Sequence, residues 1–126
     1  MVASVLVTGG SRGIGDAVCE RFLRDGFNVI SWDLQQSSHD AVHSQIVDVT
    51  VWEEVRRAGN QLPPLHAAVT CAGIGLRGSF DQLGIDELRR VIDVNFFGTA
   101  NTALAALSAL KSGRGTLVTI GSIAAI

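Results

Sequence analysis

The sequence predicts an α/β fold with a doubly wound parallel sheet, and three observations carry that prediction. Apolar runs typical of buried strands alternate with amphipathic segments of helical period along the chain. A glycine-rich turn joins the first such run to the first helical segment. The length of 126 residues, with 47% apolar and 17% charged residues, is typical of one globular domain.

The elements follow from the period of the apolar residues, taken in chain order. Strands are predicted at about 3–8, 28–33, 44–48, 66–71 and 115–120. Helices are predicted at about 13–25, 51–59 and 86–110. The polar segment Leu34–Val42 is expected to be a loop with one turn of helix at most. Right-handed crossovers between these strands give the sheet order 3-2-1-4-5.

Two of the later elements are expected to lie in the core. In the helix at 86–110, apolar and small residues recur at helical spacing, which favours packing against the sheet. Asn95 lies in this stripe, so we expect its amide to be buried and hydrogen-bonded. The run Thr116–Ile120 is expected to be a buried strand.

The glycine-rich turn Thr8–Gly15 is the most informative segment of the chain. Its glycines have the spacing G-x-x-x-G-x-G. Gly9 permits a tight turn, Gly13 lets backbone N–H groups approach a phosphate, and Gly15 lets the helix lie close to the sheet. With the positive end of the helix dipole, this turn is a candidate pyrophosphate site. The alternative is an ordinary strand–helix turn, which a glycine pattern alone does not exclude.

An acidic residue, Asp33, ends the second predicted strand. Its distance from Gly9 fits the roughly 20-residue interval expected of a carboxylate that binds a cofactor ribose. Such a carboxylate accepts hydrogen bonds from the ribose hydroxyls and repels a 2′-phosphate, so it favours NAD over NADP. Arg12 acts in the opposite direction, because a cation in this turn can meet a 2′-phosphate. The alternative is a loop aspartate that caps the following segment.

Charge and hydropathy exclude two classes of partner. The net charge is −2, and the arginine pairs Arg56-Arg57 and Arg89-Arg90 lie on predicted helix surfaces. No basic patch stands out, so nucleic acid is not expected as a partner. No apolar stretch reaches membrane-spanning length, and the first residues do not form a signal peptide, so no membrane partner is expected.

The two cysteines, Cys19 and Cys71, stand far apart in the sequence and form no metal-binding pair. No metal site is therefore expected. A chain without a disulfide framework favours a reducing compartment, and we expect a cytoplasmic protein.

At these motifs the chain resembles the short-chain dehydrogenase/reductase family, and the resemblance covers essentially all of it. The family's T-G-x-x-x-G-x-G turn lies at Thr8–Gly15, and its acidic residue after the second strand is Asp33. Four further family segments follow in order: Asp48-Val49, Thr70-Cys71-Ala72-Gly73 in place of N-N-A-G, Val94-Asn95, and Ser122. The resemblance implies a Rossmann-type fold and hydride transfer between NAD and an alcohol or carbonyl substrate.

The resemblance also implies which residues bind the cofactor. The pyrophosphate and the neighbouring ribose would be held by the turn residues Gly9, Ser11, Arg12, Gly13 and Ile14, with Gly15 at the helix start. Asp33 would hold the adenosine ribose, and Asp48 and Val49 would hold the adenine. The rim near the nicotinamide ribose would be formed by Cys71, Ala72 and Gly73. Cys71 replaces the family's asparagine, and a thiol is a poor hydrogen-bonding substitute for an amide.

Two residues take catalytic roles by the same resemblance. Ser122 would hydrogen-bond the substrate oxygen, and Asn95 would hold a water in a proton relay and open a kink in its helix. The alternatives are a serine that caps the next segment and an asparagine that bonds to nearby backbone. The same helix forms a subunit interface in the family, so a homo-oligomer is expected.

The family's proton-transfer pair is missing from this chain. A tyrosine and a lysine four residues after it are expected about a dozen residues beyond Ser122. The sequence contains no tyrosine, and its one lysine, Lys111, lies in a polar segment elsewhere. We therefore expect residues 1–126 to be a truncated dinucleotide-binding domain that lacks the later strands and has no activity alone.

Two other functions remain as alternatives. The first is a non-catalytic NAD-binding half-domain, or a truncated product that needs a partner segment. The second, a methyltransferase on a related sheet, is disfavoured because Asn95 and Ser122 occur together in this order.

Overall fold

Five parallel strands form one sheet in a computed structural model that describes residues 2–122. They are β1 (Ser4–Thr8), β2 (Asn28–Asp33), β3 (His43–Ile46), β4 (Leu65–Thr70) and β5 (Thr116–Thr119). Their order is β3-β2-β1-β4-β5, which confirms the predicted topology. Thr8, the last residue of β1, pairs with Trp32 of β2 and Thr70 of β4, so these strands end at one edge.

The helices are α1 (Gly13–Arg24), α2 (Trp52–Gly59), α3 (Ile85–Ile92) and α4 (Gly98–Gly113). A turn of 3₁₀ helix covers Phe80–Gln82, and a π-helical turn at Asp93–Phe97 separates α3 from α4. The single helix predicted at 86–110 is therefore interrupted by a wider turn, which apolar periodicity does not reveal. The loop 34–42 contains no helix.

Side chains of the central strands alternate between two buried clusters, one on each face of the sheet. Val5 and Val7 of β1 lie with Cys19 of α1 on one face. Leu6 lies on the other face, with Val55 of α2. Ala106, Ala109 and Leu110 of α4 complete that second cluster. Because both faces of β1 are covered, all five of its residues are buried.

Two expectations about the core were wrong. All four residues of β5 are exposed, because within residues 2–122 it is the edge strand of the sheet, pairs with β4 and has its main helix contact with α4. The helical stripe is buried from Thr102 onward, but Ile92 and Phe96 are 54% and 62% exposed. The N-terminal half of that stripe is only partly covered by the other described elements, since Leu88 and Val91 are half-buried.

Candidate functional site

The glycine turn between β1 and α1 has the geometry of an anion-binding loop. Gly9 and Gly13 have φ values of 68° and 59°, a region that glycine enters without steric cost. A Cβ on Gly15 would overlap the carbonyl oxygen of Gly9, so only glycine allows α1 this close to the turn. Arg12 precedes α1 and makes no side-chain cap. The first N–H groups of α1 therefore have no cap to compete with an anion.

Gly10 is a further close-packed position, which the sequence analysis did not single out. A Cβ there would overlap Ser31 Oγ and lie 2.9 Å from Cys19 Sγ. Burial raises the pKa of the Cys19 thiol to about 12, and Asp16 adds a smaller effect in the same direction. Cys19 is therefore a protonated, buried side chain beneath the turn at neutral pH.

Asp33 ends β2 and is held by donors from two segments. Its Oδ2 accepts the Ser11 hydroxyl at 2.6 Å and the Ser11 N–H at 2.9 Å. Its Oδ1 accepts the N–H groups of Leu34 at 2.6 Å and Gln35 at 3.3 Å. Bonds to the two N–H groups that follow Asp33 match the loop-aspartate alternative, whereas the bonds to Ser11 join it to the glycine turn.

A cavity of about 380 Å³ lies at the carboxyl edge of the sheet, within the size range of small-molecule sites. It brings together most residues of the predicted cofactor site: Gly9, Arg12, Gly13, Ile14, Gly15, Asp33, Asp48, Val49, Cys71, Ala72 and Gly73. Ser11 does not line this cavity in the described part of the chain. The open backbone over Gly13, where a Cβ would meet nothing within 4 Å, leaves room for a phosphate.

The wall formed by Asp48 and Val49 is fixed by its neighbours. Asp48 Oδ1 accepts the N–H and hydroxyl of Thr50 at 2.9 and 2.7 Å. The Val49 carbonyl accepts Asn101 Nδ2 of α4 at 2.9 Å. A Cβ on Gly98 would lie 2.6 Å from Val49 Cγ2, so glycine lets α4 approach this wall. The wall is thereby tied to the helix that follows Asn95.

The segment after β4 is braced without the family's asparagine. The N–H groups of Cys71 and Ala72 donate to the carbonyl oxygen and the hydroxyl of Thr8, each at 3.2 Å. Burial raises the pKa of the Cys71 thiol, so this side chain stays neutral. It packs against the cluster that contains Cys19. Bonds from these two backbone N–H groups to Thr8 of β1 therefore hold this segment, and the thiol contributes packing.

Asn95 holds the next residue along that segment. Its Oδ1 accepts the Ile74 N–H and its Nδ2 donates to the Ile74 carbonyl, both at 2.8 Å. These are the backbone bonds of the structural alternative, and Asn95 lies in the π-helical turn. The expectation of a buried amide was wrong, because Asn95 is exposed and the described elements leave this face of the helix open.

Ser122 follows β5 and is exposed. The Ile120 N–H donates to the Thr70 carbonyl at 3.2 Å, which continues the pairing with β4 just before Ser122. Ser122 is therefore placed beyond the carboxyl edge of the sheet. Lys111 lies in the last turn of α4, near the opposite edge, because Gly113 meets Leu65 at the start of β4.

Sequence reasoning missed several residues that line the cavity: Trp32, Leu34, Val47, Ile74 and Arg90. Arg90 had been assigned to a helix surface, yet it reaches the cavity from α3. The Trp32 ring is fixed by a 2.7 Å bond from its Nε1 to Gln45 Oε1. Their only signal in the sequence was proximity to a motif. Trp32, Leu34, Val47 and Ile74 adjoin motif residues, and Arg90 lies on α3.

Comparison with known proteins places this arrangement in a family. The family model described as short chain dehydrogenase matches residues 3–126, and the chain belongs to that family. It is 33% identical over 136 residues to an uncharacterised oxidoreductase of Schizosaccharomyces pombe, covering 97% of this chain and 45% of that protein. It is 31% identical to dehydrogenase/reductase SDR family member 9 of Bos taurus, covering 94% and 42%.

Solved structures show the same fold. Ligand-free aldohexose dehydrogenase of Thermoplasma acidophilum matches with a TM-score of 0.89 and 30% identity, over 96% of this chain and 49% of that one. A short chain dehydrogenase of Leptospira borgpetersenii with bound NAD⁺ matches with a TM-score of 0.89 and 27% identity, over 98% and 52%. ElxO with bound NADP matches with a TM-score of 0.86 and 27% identity, over 98% and 56%.

The chain spans about half the length of the curated relatives it matches, from 42% to 45% for the two named above. Among residues 2–122, no helix has the length and apolar character needed to cross a membrane. The same residues contain no group of three or more histidine, cysteine or acidic side chains placed to hold a metal ion.

Proposed function

We propose that this protein is an NAD-dependent oxidoreductase that transfers hydride between the nicotinamide and the carbinol or carbonyl carbon of a small substrate. The observation that supports it most is the Asp33 carboxylate, held at the cavity beside the glycine turn. Membership in the short chain dehydrogenase family supports oxidation or reduction as the class of reaction.

NAD rather than NADP follows from the charge at the adenosine ribose. A 2′-phosphate beside the Asp33 carboxylate would face a like charge, which costs several kcal/mol. Arg12 lines the same cavity but is exposed, and an exposed ion pair contributes about 1 kcal/mol or less. The carboxylate therefore outweighs the guanidinium. Related structures contain either NAD⁺ or NADP, so family membership alone does not determine the nucleotide.

The residues divide the work as follows. The N–H groups at the start of α1 would hold the pyrophosphate, and Asp48 with Val49 would border the adenine. The bound nicotinamide would supply the hydride chemistry. The Ser122 hydroxyl would donate to the substrate oxygen and stabilise charge that develops there. Asn95 would keep the rim at Ile74 in place and offer its remaining amide valences to a water.

Proton transfer needs a group that this chain does not contain. The sequence has no tyrosine, and Lys111 lies near the amino edge of the sheet, away from Ser122. General acid–base assistance is worth about 10²–10⁴ in rate. We therefore propose that residues 1–126 act as the dinucleotide-binding part of a longer domain and have no turnover alone.

The partners and location are proposals as well. We propose a homo-oligomer in the cytoplasm, acting on a small molecule, with no nucleic acid or membrane bound. The exposed apolar side chains of Phe96, Phe97 and Leu104 support association with another copy.

A second candidate function is a non-catalytic NAD-binding half-domain, which the lack of a tyrosine favours. The two candidate functions can be distinguished by comparing two forms of the protein. One form is expressed at its full encoded length, and the other ends at Ile126. Both are assayed for NAD reduction with a panel of secondary alcohols, and for binding of NAD and S-adenosylmethionine.

Turnover by the full-length protein alone supports the oxidoreductase. NAD binding without turnover in either protein supports the half-domain. Clear turnover from a monomeric 126-residue chain would contradict the inactivity proposed for it, and binding of S-adenosylmethionine in place of NAD would contradict both candidates.

A further inference from the structure

Ser11 contacts Asp33 without lining the cofactor cavity. Its hydroxyl and its N–H both donate to Asp33 Oδ2, at 2.6 and 2.9 Å. Within the described chain, Asp33 lines the cavity and Ser11 does not. We propose that Ser11 is a positioning residue whose hydroxyl orients the Asp33 carboxylate and thereby sets the discrimination between NAD and NADP. This inference rests on the proposed function and deepens it.

The two carboxylate oxygens of Asp33 are engaged unequally. Oδ2 accepts two short bonds from Ser11, whereas Oδ1 accepts the N–H of Leu34 at 2.6 Å and that of Gln35 at 3.3 Å. A carboxylate oxygen offers about two acceptor sites, and the 3.3 Å bond is the weakest of the four. Each oxygen thus has two donors, and the long bond from Gln35 to Oδ1 is the one that a ribose hydroxyl can most readily replace, whereas Ser11 keeps Oδ2 occupied.

Loss of the hydroxyl would loosen the orientation of the carboxylate, because one of the two shortest of its four bonds would be gone. The terminal torsion of an aspartate is soft, so its orientation depends on the bonds it accepts. The Ser11 N–H would remain in an alanine variant, but the shorter, charge-assisted bond would be gone. Rotation weakens the bond to the ribose and relaxes the repulsion of a 2′-phosphate. The two nucleotides should thus respond differently, whereas a general loss of the turn would weaken both equally.

The test measures dissociation constants for NAD and NADP by calorimetry, with the protein at its full encoded length. The variants are Ser11→Ala, Ser11→Thr, which keeps a hydroxyl, and the control Ser108→Ala at an exposed position on α4. We expect Ser11→Ala to weaken NAD about tenfold, as for loss of one hydrogen bond to a charged group, and to change NADP by about twofold or less. Ser11→Thr should stay within about threefold of the parent, and Ser108→Ala should match it.

Three results would overturn the inference. An unchanged NAD to NADP ratio in Ser11→Ala, or an equal loss for both nucleotides, would show that the hydroxyl does not set discrimination. Tighter NAD binding in that variant would show that the hydroxyl competes with the ribose. A parent protein that binds neither nucleotide would overturn the proposed function and this inference together. If the parent binds NAD and only the Ser11→Ala result fails, the proposed function stands and this inference alone is overturned.

Discussion

Strands β1 and β5 are parallel neighbours of the same strand, β4, yet every residue of β1 is buried and every residue of β5 is exposed. The contrast extends to the helices, since α1 and α2 cover the sheet around β1 whereas α3 contains no buried residue. We call β1, β2 and β4 with α1 and α2 the covered half, and α3, the π-helical turn and β5 with the residues that follow it the exposed half. The predicted cofactor residues lie mainly in the covered half. Asn95 and Ser122 lie in the exposed half.

Because the two halves differ in burial, we expect substitutions in the covered half to lower stability and substitutions in the exposed half to lower activity. At Gly9, Gly10 and Gly15 of the covered half, backbone and side chains are in such close contact that an added methyl group would overlap a neighbouring atom. In the exposed half, side chains can be changed with little loss of packing. Substitutions in the two halves should therefore fail in different ways.

The largest effect is expected in the exposed half, for Ser122→Ala in the full-length protein. Removal of one donor to a developing oxyanion costs about 10²–10³ in kcat. Because Ser122 is exposed and, within residues 2–122, does not line the cavity, NAD affinity should stay near that of the parent. Steady-state kinetics and calorimetry check this, with Ser112→Ala on α4 as the matched control. Unchanged kcat would reject the catalytic role of Ser122.

In the covered half, Gly15→Ala should act mainly on stability. The added Cβ would overlap the Gly9 carbonyl oxygen, and a forced backbone shift of this kind costs about 3 kcal/mol, near the upper end for overpacking. Denaturant unfolding measures the loss, and NAD affinity should fall with it. Gly75→Ala is the control, because a Cβ there meets nothing within 4 Å. Equal stabilities for the two variants would show that the close approach of α1 does not matter.

Asn95 lies in the exposed half and binds Ile74 at the rim of the cavity, and its substitution should have a smaller effect. Asn95→Ala removes two 2.8 Å bonds to Ile74, but water can replace them at this exposed position. We expect a loss of about 1 kcal/mol in the free energy of unfolding. Asn60→Ala at the exposed end of α2 provides the control. A loss above about 3 kcal/mol would mean that Asn95 is covered in solution by part of the protein.

The strand order and the two main motifs of the covered half could be predicted from the sequence. Strand order, the glycine turn and the acid after β2 each depend on local patterns, and crossovers of one hand give the order of the strands. The extent of burial in the other half could not be predicted. Apolar period shows which residues share a face, whereas burial requires an element that packs on that face. Ile92 and Phe96 have the helical spacing of core residues, but both are exposed because no described element covers them.

Two features of the site depend on contacts between distant segments. The bond of Ser11 to Asp33 spans 22 residues, and the bonds of Asn95 to Ile74 span 21. Each pairs a common polar residue with a partner that only the fold brings near. Arg90 was missed for the same reason, because a charged residue on a helix gives no sign of the cavity it faces.

Cofactor preference tests the central claim most directly, because the Asp33 carboxylate is its main proposed determinant. Dissociation constants for NAD and NADP are compared for the full-length parent, for Asp33→Ala, and for Asp81→Ala at an exposed site as the control. A preference for NAD of about 100-fold is expected in the parent, as for a like-charge contact of several kcal/mol. It should shrink by at least about tenfold in Asp33→Ala and persist in the control. A parent that prefers NADP, or an Asp33→Ala variant with undiminished preference for NAD, would contradict the account.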